Sequence, residues 1–224
     1  ESVMTINIYG DSGSGSFRRV WTAAKHMDIQ FEHIPVDLLK GESQAPEFLA
    51  INPVGRVPVL VDGDVVITEA SAINLYLAET FDSPLLPKGK ARYETLQWMF
   101  WSAEHWRVFS SYLFNERIGK RVMGVAEDPT LVEFIFTNIR SNAAMLDKHL
   151  EGKKFIVGDQ VTLADFDIAA PFSQMARTKT PYDEFPNIMA WQQRLLDEVP
   201  AWKETKELLD DRMDRAFSAF GITF

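Results

Sequence analysis

The order of apolar and polar positions divides the chain into two parts. Up to about residue 82, short runs that alternate apolar and polar residues lie between stretches in which apolar residues recur at helical spacing. The predicted order is β-α-β, then α, then β-β-α. A βαβ unit implies a parallel strand pair and a hairpin adds antiparallel strands, so we predict a mixed α/β sheet covered by helices. The predicted strands are 4–9, 31–36, 58–61 and 65–68, and the predicted helices are 17–27, 46–51 and 69–80.

The second part of the chain is predicted to contain helices alone. Asp128 and Pro129 have the residue types of an N-cap and a first helical position. Thr162 and Asp165 are spaced as a capping box, in which each side chain satisfies a free N–H group at the start of a helix. The predicted parts are an α/β domain at residues 1–82, a proline-containing linker at 83–90 and an all-α helical bundle at 91–224.

Charge and composition exclude several classes of function. The chain has 224 residues, a formal net charge of −9 and no stripe of Lys and Arg, which argues against a nucleic-acid partner. It has no cysteine, so a ligand must bring any reacting sulfur. The four histidines lack ligand spacing, and no metal is expected. The apolar runs are too short to span a bilayer and no secretory signal is visible, so we expect a cytoplasmic protein without a membrane partner.

A Gly-Asp-Ser-Gly sequence at residues 10–13 matches the nucleophile signature of serine proteases and is similar to that of GDSL-type hydrolases. Both classes need a histidine base that activates the serine. No histidine of this chain follows the Asp-x-x-His spacing, and only 11 residues precede Ser12. A serine hydrolase is therefore a remote alternative, and a flexible Gly/Ser turn is the simpler interpretation.

The segment 52–60 and the start of the next helix predict a slot for a short peptide. Pro58 is best tolerated at a strand start or edge, where Val57 keeps its backbone N–H and C=O free. An extended peptide can pair with these groups by strand addition. A helix begins near 69–71, and its first N–H groups favour an anion. The predicted ligand is a short peptide with a carboxylate at one end.

These residues resemble the glutathione-binding half of the cytosolic glutathione S-transferase family. Residues 8–10, followed by Ser14 and 18–20, are most similar to the serine-type phi and bacterial groups. The resemblance implies a thioredoxin-like N-terminal domain with Pro58 in cis, an all-α C-terminal domain and a homodimer. Three further pieces follow in the family's order, namely the linker at 83–87, the capping-box segment at 155–165 and a late helix at 185–191.

The resemblance selects Ser14, four residues after Gly10, to face the sulfur of glutathione, with Ser12 and Ser16 as alternates. A free thiol with a pKa of about 8.5 is only slightly ionised at neutral pH. A serine hydroxyl at a helix N-terminus can donate a hydrogen bond to the thiolate while the helix dipole assists. The implied activity is attack of this thiolate on a small hydrophobic electrophile, by conjugation or by related peroxidase, isomerase or dehalogenase chemistry.

The resemblance also implies how glutathione is held. Val57 pairs with its cysteinyl part, and Glu69 holds its γ-glutamyl amino group. Ala70 stands where the family usually has serine, and Ser71 comes one residue later. This shift rotates the hydroxyl by about 100° around the helix, so we expect binding weakened by about 1–2 kcal/mol. It also keeps open a non-catalytic ligand carrier or regulatory interaction protein as the alternative. The remaining implied contacts are Arg56, Pro58, Gln44 and Lys40 for glutathione, and Trp101, His105 and Phe109 for the electrophile pocket.

Overall fold

The N-terminal elements occur in the predicted order. The computed structural model describes residues 5–224. Met4, the first residue of the first predicted strand, lies outside the described residues, as do residues 1–3. The observed strands are β1 (Ile6–Gly10), β2 (Phe31–Pro35), β3 (Val59–Asp62) and β4 (Val65–Ile67), and the helices are α1 (Gly15–His26), α2 (Pro46–Ile51) and α3 (Ala70–Thr80).

The four strands form one mixed sheet in the order β2-β1-β3-β4. β1 pairs parallel with β2 and antiparallel with β3, and β3 pairs antiparallel with β4. Ile8 lies opposite Leu60 in this sheet, and both pack with Phe17 of α1 and Ile73 of α3 in one buried cluster. The predicted mixed sheet covered by helices is confirmed. Its register places the C-terminal end of β1 directly before the loop that leads into α1.

The second part of the chain is helical, as predicted. Residues 90–122 form one continuous helical segment that contains two π-helical turns. Among residues 5–224, no helix combines the length and the apolar character needed to cross a membrane. The boundary predicted at 83–90 stays a prediction. The observed helices are α4 (Lys90–Trp101), α5 (Arg107–Phe114), α6 (Lys120–Val122), α7 (Pro129–Leu150), α8 (Leu163–Ala169), α9 (Met175–Thr178), α10 (Pro186–Glu198) and α11 (Pro200–Ala219).

Helix α1 lies between the sheet and the C-terminal helices. Val20 packs in the cluster under the sheet, whereas Ala23 packs in the main helical core. Between these faces, Arg18 is only 2% exposed, and its guanidinium stacks 3.3 Å above the ring of Trp202 in α11. Its Nε donates to Oγ1 of Thr205 at 3.1 Å. Burial lowers the pKa of Arg18 to about 9, so this cation remains charged at neutral pH.

Asp165 fixes the start of α8. It is fully buried, and its Oδ2 accepts from the backbone N–H of Thr162 at 2.8 Å. Its Oδ1 accepts from the backbone N–H of Ile156 at 3.0 Å and from Nε1 of Trp191 at 2.9 Å. Burial raises the pKa of Asp165 to about 6, and these hydrogen bonds oppose the rise. One carboxylate therefore joins α8, α10 and the loop before α8.

We expect Asp165→Ala to lower the free energy of unfolding by about 3 kcal/mol or more, because it leaves three buried N–H donors without an acceptor. Urea unfolding followed by circular dichroism measures the change. Asp159→Ala removes an exposed carboxylate of the same loop and should cost less than about 0.5 kcal/mol. Equal effects of the two substitutions would contradict this role for Asp165.

Candidate active site

Ser14 occupies the N-cap of α1. Its backbone is extended, with φ −87° and ψ 120°, and its Oγ accepts from the backbone N–H of Phe17 at 3.2 Å. The first turn of α1 contains no acidic residue, so the dipole of the helix is not offset there. Because the oxygen is the acceptor for the helix, the hydroxyl hydrogen of Ser14 is left to donate to a ligand.

The two alternate serines have different surroundings. Oγ of Ser16 accepts from Nη2 of Arg19 at 2.8 Å, and Ser16 lines the same cavity as Ser14. Ser12 does not line that cavity. Nε2 of His33 contacts the carbonyl oxygen of Gly10 at 2.9 Å, so this ring nitrogen is bonded to the backbone. The geometry therefore favours Ser14 over Ser12 and gives no support to a serine–histidine pair at Ser12.

Asp11 holds the loop that carries Ser14. Its Oδ1 accepts from the backbone N–H of Gly13 at 2.8 Å, and its Oδ2 accepts from the backbone N–H of Leu38 at 3.0 Å. Nη2 of Arg212, from α11, lies 3.3 Å from Oδ2 of Asp11. A Cβ at Gly13 would lie 2.9 Å from the sulfur of Met213 and 3.2 Å from Cγ of Arg212, so α11 approaches this loop closely. The loop is therefore fixed from both parts of the chain.

The segment predicted to bind the peptide lies at the start of β3. The Val57–Pro58 peptide bond is cis, as the resemblance implied. Among the described residues, the β1–β3 ladder ends at Val59, so Val57 has no ladder partner. Nδ2 of Asn52 donates to the carbonyl oxygen of Arg56 at 2.8 Å and fixes the approach to Val57. The backbone of Val57 is thus presented beside the sheet.

The polar side chains predicted around this segment are exposed. The side chains of Arg56 and Lys40 extend into solvent. Gln44 is exposed too, but its Nε2 donates to the carbonyl oxygen of Gly55 at 3.0 Å and supports the loop. Nζ of Lys40 is 3.9 Å from Oδ2 of Asp37. These side chains lie in the predicted part of the molecule, and their contacts with a ligand stay predictions.

The start of α3 directs the hydroxyl of Ser71 toward α8. Glu69 is the N-cap of α3, and its exposed side chain makes no capping hydrogen bond. Ala70 is 2% exposed and packs in the cluster under the sheet. Oγ of Ser71 donates to Oδ1 of Asp167 at 2.9 Å and accepts from Nη1 of Arg19 at 3.1 Å. The structure therefore places Ser71 in the interface with α8, and its contact with glutathione stays a prediction.

A buried ion pair connects this region to the helical part. Arg19 and Asp167 are in direct contact, with side chains 3% and 0% exposed. Nε of Arg107, at the start of α5, lies 3.4 Å from Oδ2 of Asp167. Burial and the neighbouring charge of Arg19 lower the pKa of Arg107 to about 10. Sequence reasoning missed all three residues, although two adjacent arginines within an amphipathic helix were a visible signal.

A cavity of about 290 Å³ opens beside Ser14. The 13–16 loop and Arg19 line one side of it, and residues from α5 and from 170–178 line the other. Hydroxyl groups and two guanidinium groups share the lining with apolar side chains such as Phe114. A small molecule in this cavity would meet the hydroxyl of Ser14 directly.

The predicted electrophile wall does not coincide with this cavity. Trp101 stacks on the ring of Trp106 at 5.5 Å, His105 is exposed, and Phe109 packs edge-on against Phe134. The π-helical turn Ser102–Trp106 inserts one extra residue and rotates the positions that follow it, such as Phe109, by about 100°. The cavity is lined instead by Arg107, Ser110, Ser111 and Phe114.

Comparisons with known proteins agree with the resemblance. The family model for the glutathione S-transferase N-terminal domain matches residues 4–79, and the model for the C-terminal domain matches residues 122–198. Glutathione S-transferase 3 of Zea mays is 32% identical over 206 residues, which is 89% of this chain and 92% of the relative. Glutathione S-transferase F9 of Arabidopsis thaliana is 30% identical over 213 residues, which is 90% of this chain and 96% of the relative.

The fold is similar to that of solved structures. The crystal structure of glutathione transferase F7 from Populus trichocarpa superimposes with a TM-score of 0.84 at 25% identity, and the match covers 92% of this chain and 99% of that one. These plant relatives agree with the predicted serine-type, phi-like membership. A chain that matches both domain models in order, and relatives over nearly their full length, belongs to the glutathione S-transferase family.

Proposed function

We propose that this protein conjugates glutathione to an electrophile, with Ser14 as the residue that ionises the thiol. The observation that carries the proposal is the position of the Ser14 hydroxyl, at the N-terminus of α1 and on the wall of a cavity. Family membership supports glutathione as the co-substrate. The cavity supports a second substrate beside the sulfur.

Ionisation of the thiol needs moderate stabilisation of the anion. Lowering a thiol pKa from about 8.5 by about two units takes roughly 2.7 kcal/mol. One hydrogen bond to a charged acceptor contributes about 1.5–3 kcal/mol, and the dipole at a helix N-terminus adds to it. Ser14 and α1 together supply both contributions. The serine acts as a donor, so the proposal requires no histidine base.

The tripeptide is proposed to lie along the start of β3. The backbone of Val57 pairs with the cysteinyl unit, because this residue has no ladder partner among residues 5–224. The amino group of the γ-glutamyl unit meets the carboxylate of Glu69. The carboxylate of the same γ-glutamyl unit meets the first N–H groups of α3. Ala70 has no hydroxyl to donate a hydrogen bond there, so the γ-glutamyl carboxylate is bound by backbone N–H groups alone. Gln44 and Lys40 remain proposed contacts for the glycyl end, and Arg56 remains a proposed partner for a carboxylate of glutathione.

We extend the proposal to assembly and location. Family membership supports a homodimer and a cytoplasmic protein, as the sequence suggested. Sedimentation of the purified chain tests the dimer.

Ser14→Ala is expected to lower kcat/KM for chlorodinitrobenzene at least about tenfold at pH 6.5, because the thiolate loses its hydrogen bond. The apparent pKa of the glutathione thiol, taken from the dependence of kcat/KM on pH, should rise by about one unit or more. The absorbance of the thiolate in the ultraviolet, measured with saturating glutathione, gives the same pKa without turnover.

Ser12→Ala is the matched control, since Ser12 lies in the same loop but does not line the cavity. It should change neither the pKa nor the rate by more than about twofold. Ser14→Ala also removes an N-cap that is worth about 1 kcal/mol, so the assays are made well below its melting temperature. An unchanged thiolate pKa in Ser14→Ala would reject Ser14 as the donor.

Glu69→Gln is expected to raise the KM for glutathione about tenfold or more, with a smaller effect on kcat, because it removes the charge that meets the γ-glutamyl ammonium. Initial rates at varied glutathione measure both constants. Glu133→Gln removes an exposed charge from α7 and should leave the KM for glutathione unchanged. Equal KM values in Glu69→Gln and the unmodified protein would place the ammonium elsewhere.

A further inference from the structure

The cavity beside Ser14 has the opposite charge to the chain as a whole. The chain carries a formal net charge of −9. Among the described residues, Arg19 and Arg107 line the cavity and no carboxylate side chain does. Ser110, Ser111 and Thr178 add hydroxyl groups to the same lining. Arg19 is bonded to Asp167, Ser16 and Ser71, whereas the side chain of Arg107 is 22% exposed, so Arg107 is the lining arginine that a ligand can reach.

The two arginines share one buried carboxylate. Asp167 is 0% exposed and contacts Arg19 directly through Oδ1. Nε of Arg107 lies 3.4 Å from the other oxygen, Oδ2, which has no hydrogen-bond partner among the described residues. Two positive charges thus lie against one negative charge at the back of the cavity. The excess is one positive charge, and it belongs to Arg107, since Arg19 has the closer contact with Asp167.

Arg107 is held so that its outer nitrogens are available. Its backbone N–H donates to the carbonyl oxygen of Ser102 in the π-helical turn, and its Nε donates to Oγ of Ser102 at 3.2 Å. Both its side-chain hydrogen bond and its ion pair use Nε. The side chain is 22% exposed, and within residues 5–224 its two terminal nitrogens have no hydrogen-bond partner. A guanidinium in this position can bind an anionic group through two parallel N–H donors.

The charges around Arg107 favour the binding of an anionic ligand in the cavity. Burial and repulsion by Arg19 lower the pKa of Arg107 to about 10, although Asp167 and Glu69 act in the opposite direction. Glu69 is exposed, and in the proposed complex the glutathione ammonium neutralises it. The γ-glutamyl carboxylate of the same complex is assigned to the first N–H groups of α3. The terminal nitrogens of Arg107, which no hydrogen bond of the described residues uses, are then left to bind an anionic group of the second substrate.

We infer that the electrophile carries an anionic oxygen group, such as a carboxylate, and that Arg107 binds this group in the cavity beside Ser14. The inference rests on the proposed function, because it names the class of the second substrate. When the electrophile is an aryl chloride, the glutathione thiolate forms a C–S bond at the carbon that carries chlorine. The bond from that carbon to chlorine breaks, and chloride leaves with the electron pair. The anionic group takes no part in bond making and acts only as the handle that positions the carbon.

Chlorodinitrobenzoate and its methyl ester test the inference, because they share the reacting carbon and the leaving group and differ in one negative charge. We expect Arg107→Gln to lower the ratio of kcat/KM for the acid to that for the ester about tenfold or more. Comparing ratios between variants cancels the different intrinsic reactivities. Arg107→Lys keeps the charge but not the two-pronged geometry, so it should give an intermediate ratio. Arg215→Gln removes a charge from an exposed arginine of α11 and should leave the ratio unchanged.

Two results would overturn the inference. One is an acid-to-ester ratio that is the same in Arg107→Gln and the unmodified protein. The other is a rise in the KM for glutathione by the same factor with both electrophiles, since Arg107 would then serve a carboxylate of glutathione itself.

Different results show whether the proposed transferase activity or the inference about Arg107 is wrong. If the unmodified protein conjugates neither compound, the transferase proposal fails. Calorimetry with the two finished glutathione conjugates, with and without the free carboxylate, still measures the charge preference of the cavity. Tighter binding of the acid that is lost in Arg107→Gln would support the inference, and equal affinities would overturn it.

Discussion

The position of α1 between the sheet and the C-terminal helices is the constraint on which the site depends. Residues 17–24 of this helix are all buried, so its two adjacent arginines must find partners inside the protein. Arg18 finds them in α11 and in the segment before α9, and Arg19 finds them in α3 and α8. A buried cation that loses its partner is strongly destabilising, so α1 cannot move independently of either part. The N-terminus of α1, and with it Ser14, is therefore positioned by both.

The loop before α1 is tied in the same way. Asp11 joins the backbone of Gly13 to that of Leu38, and Arg212 of α11 reaches Asp11 and Asp37 together. The hydroxyl of Ser14 is thus held at its own helix by Phe17 and at its loop by contacts from 201 residues away in the sequence. A donor that is fixed before the ligand arrives loses little entropy on binding, and this is what an anion-stabilising group requires.

Local signals predicted the parts that local interactions determine. The succession of strands and helices in the N-terminal part, the hairpin at Gly63 and the cap at Asp128 all follow from residues within a few positions of each other. The turn of Ser71 toward Asp167 does not, because its partner lies 96 residues away. The lining of the cavity by α5 does not follow from local signals either, because the π-helical turn before α5 changes the helical phase. The local architecture around Ser14 was therefore predictable, whereas the contacts between the two parts of the chain were not.

In the proposed complex, the separation of charges around the cavity explains why a neutral hydroxyl is sufficient beside the sulfur. With a thiol pKa lowered by about two units, most of the glutathione is already thiolate at neutral pH. A cation beside the sulfur would add little thiolate and would weaken it as a nucleophile, because nucleophilicity falls as the pKa falls. Asp167 offsets the charge of Arg19, which lines the cavity on the side of Ser14, and leaves the excess charge at Arg107 on the opposite wall. The arrangement stabilises the thiolate modestly while it directs the stronger field toward the second substrate.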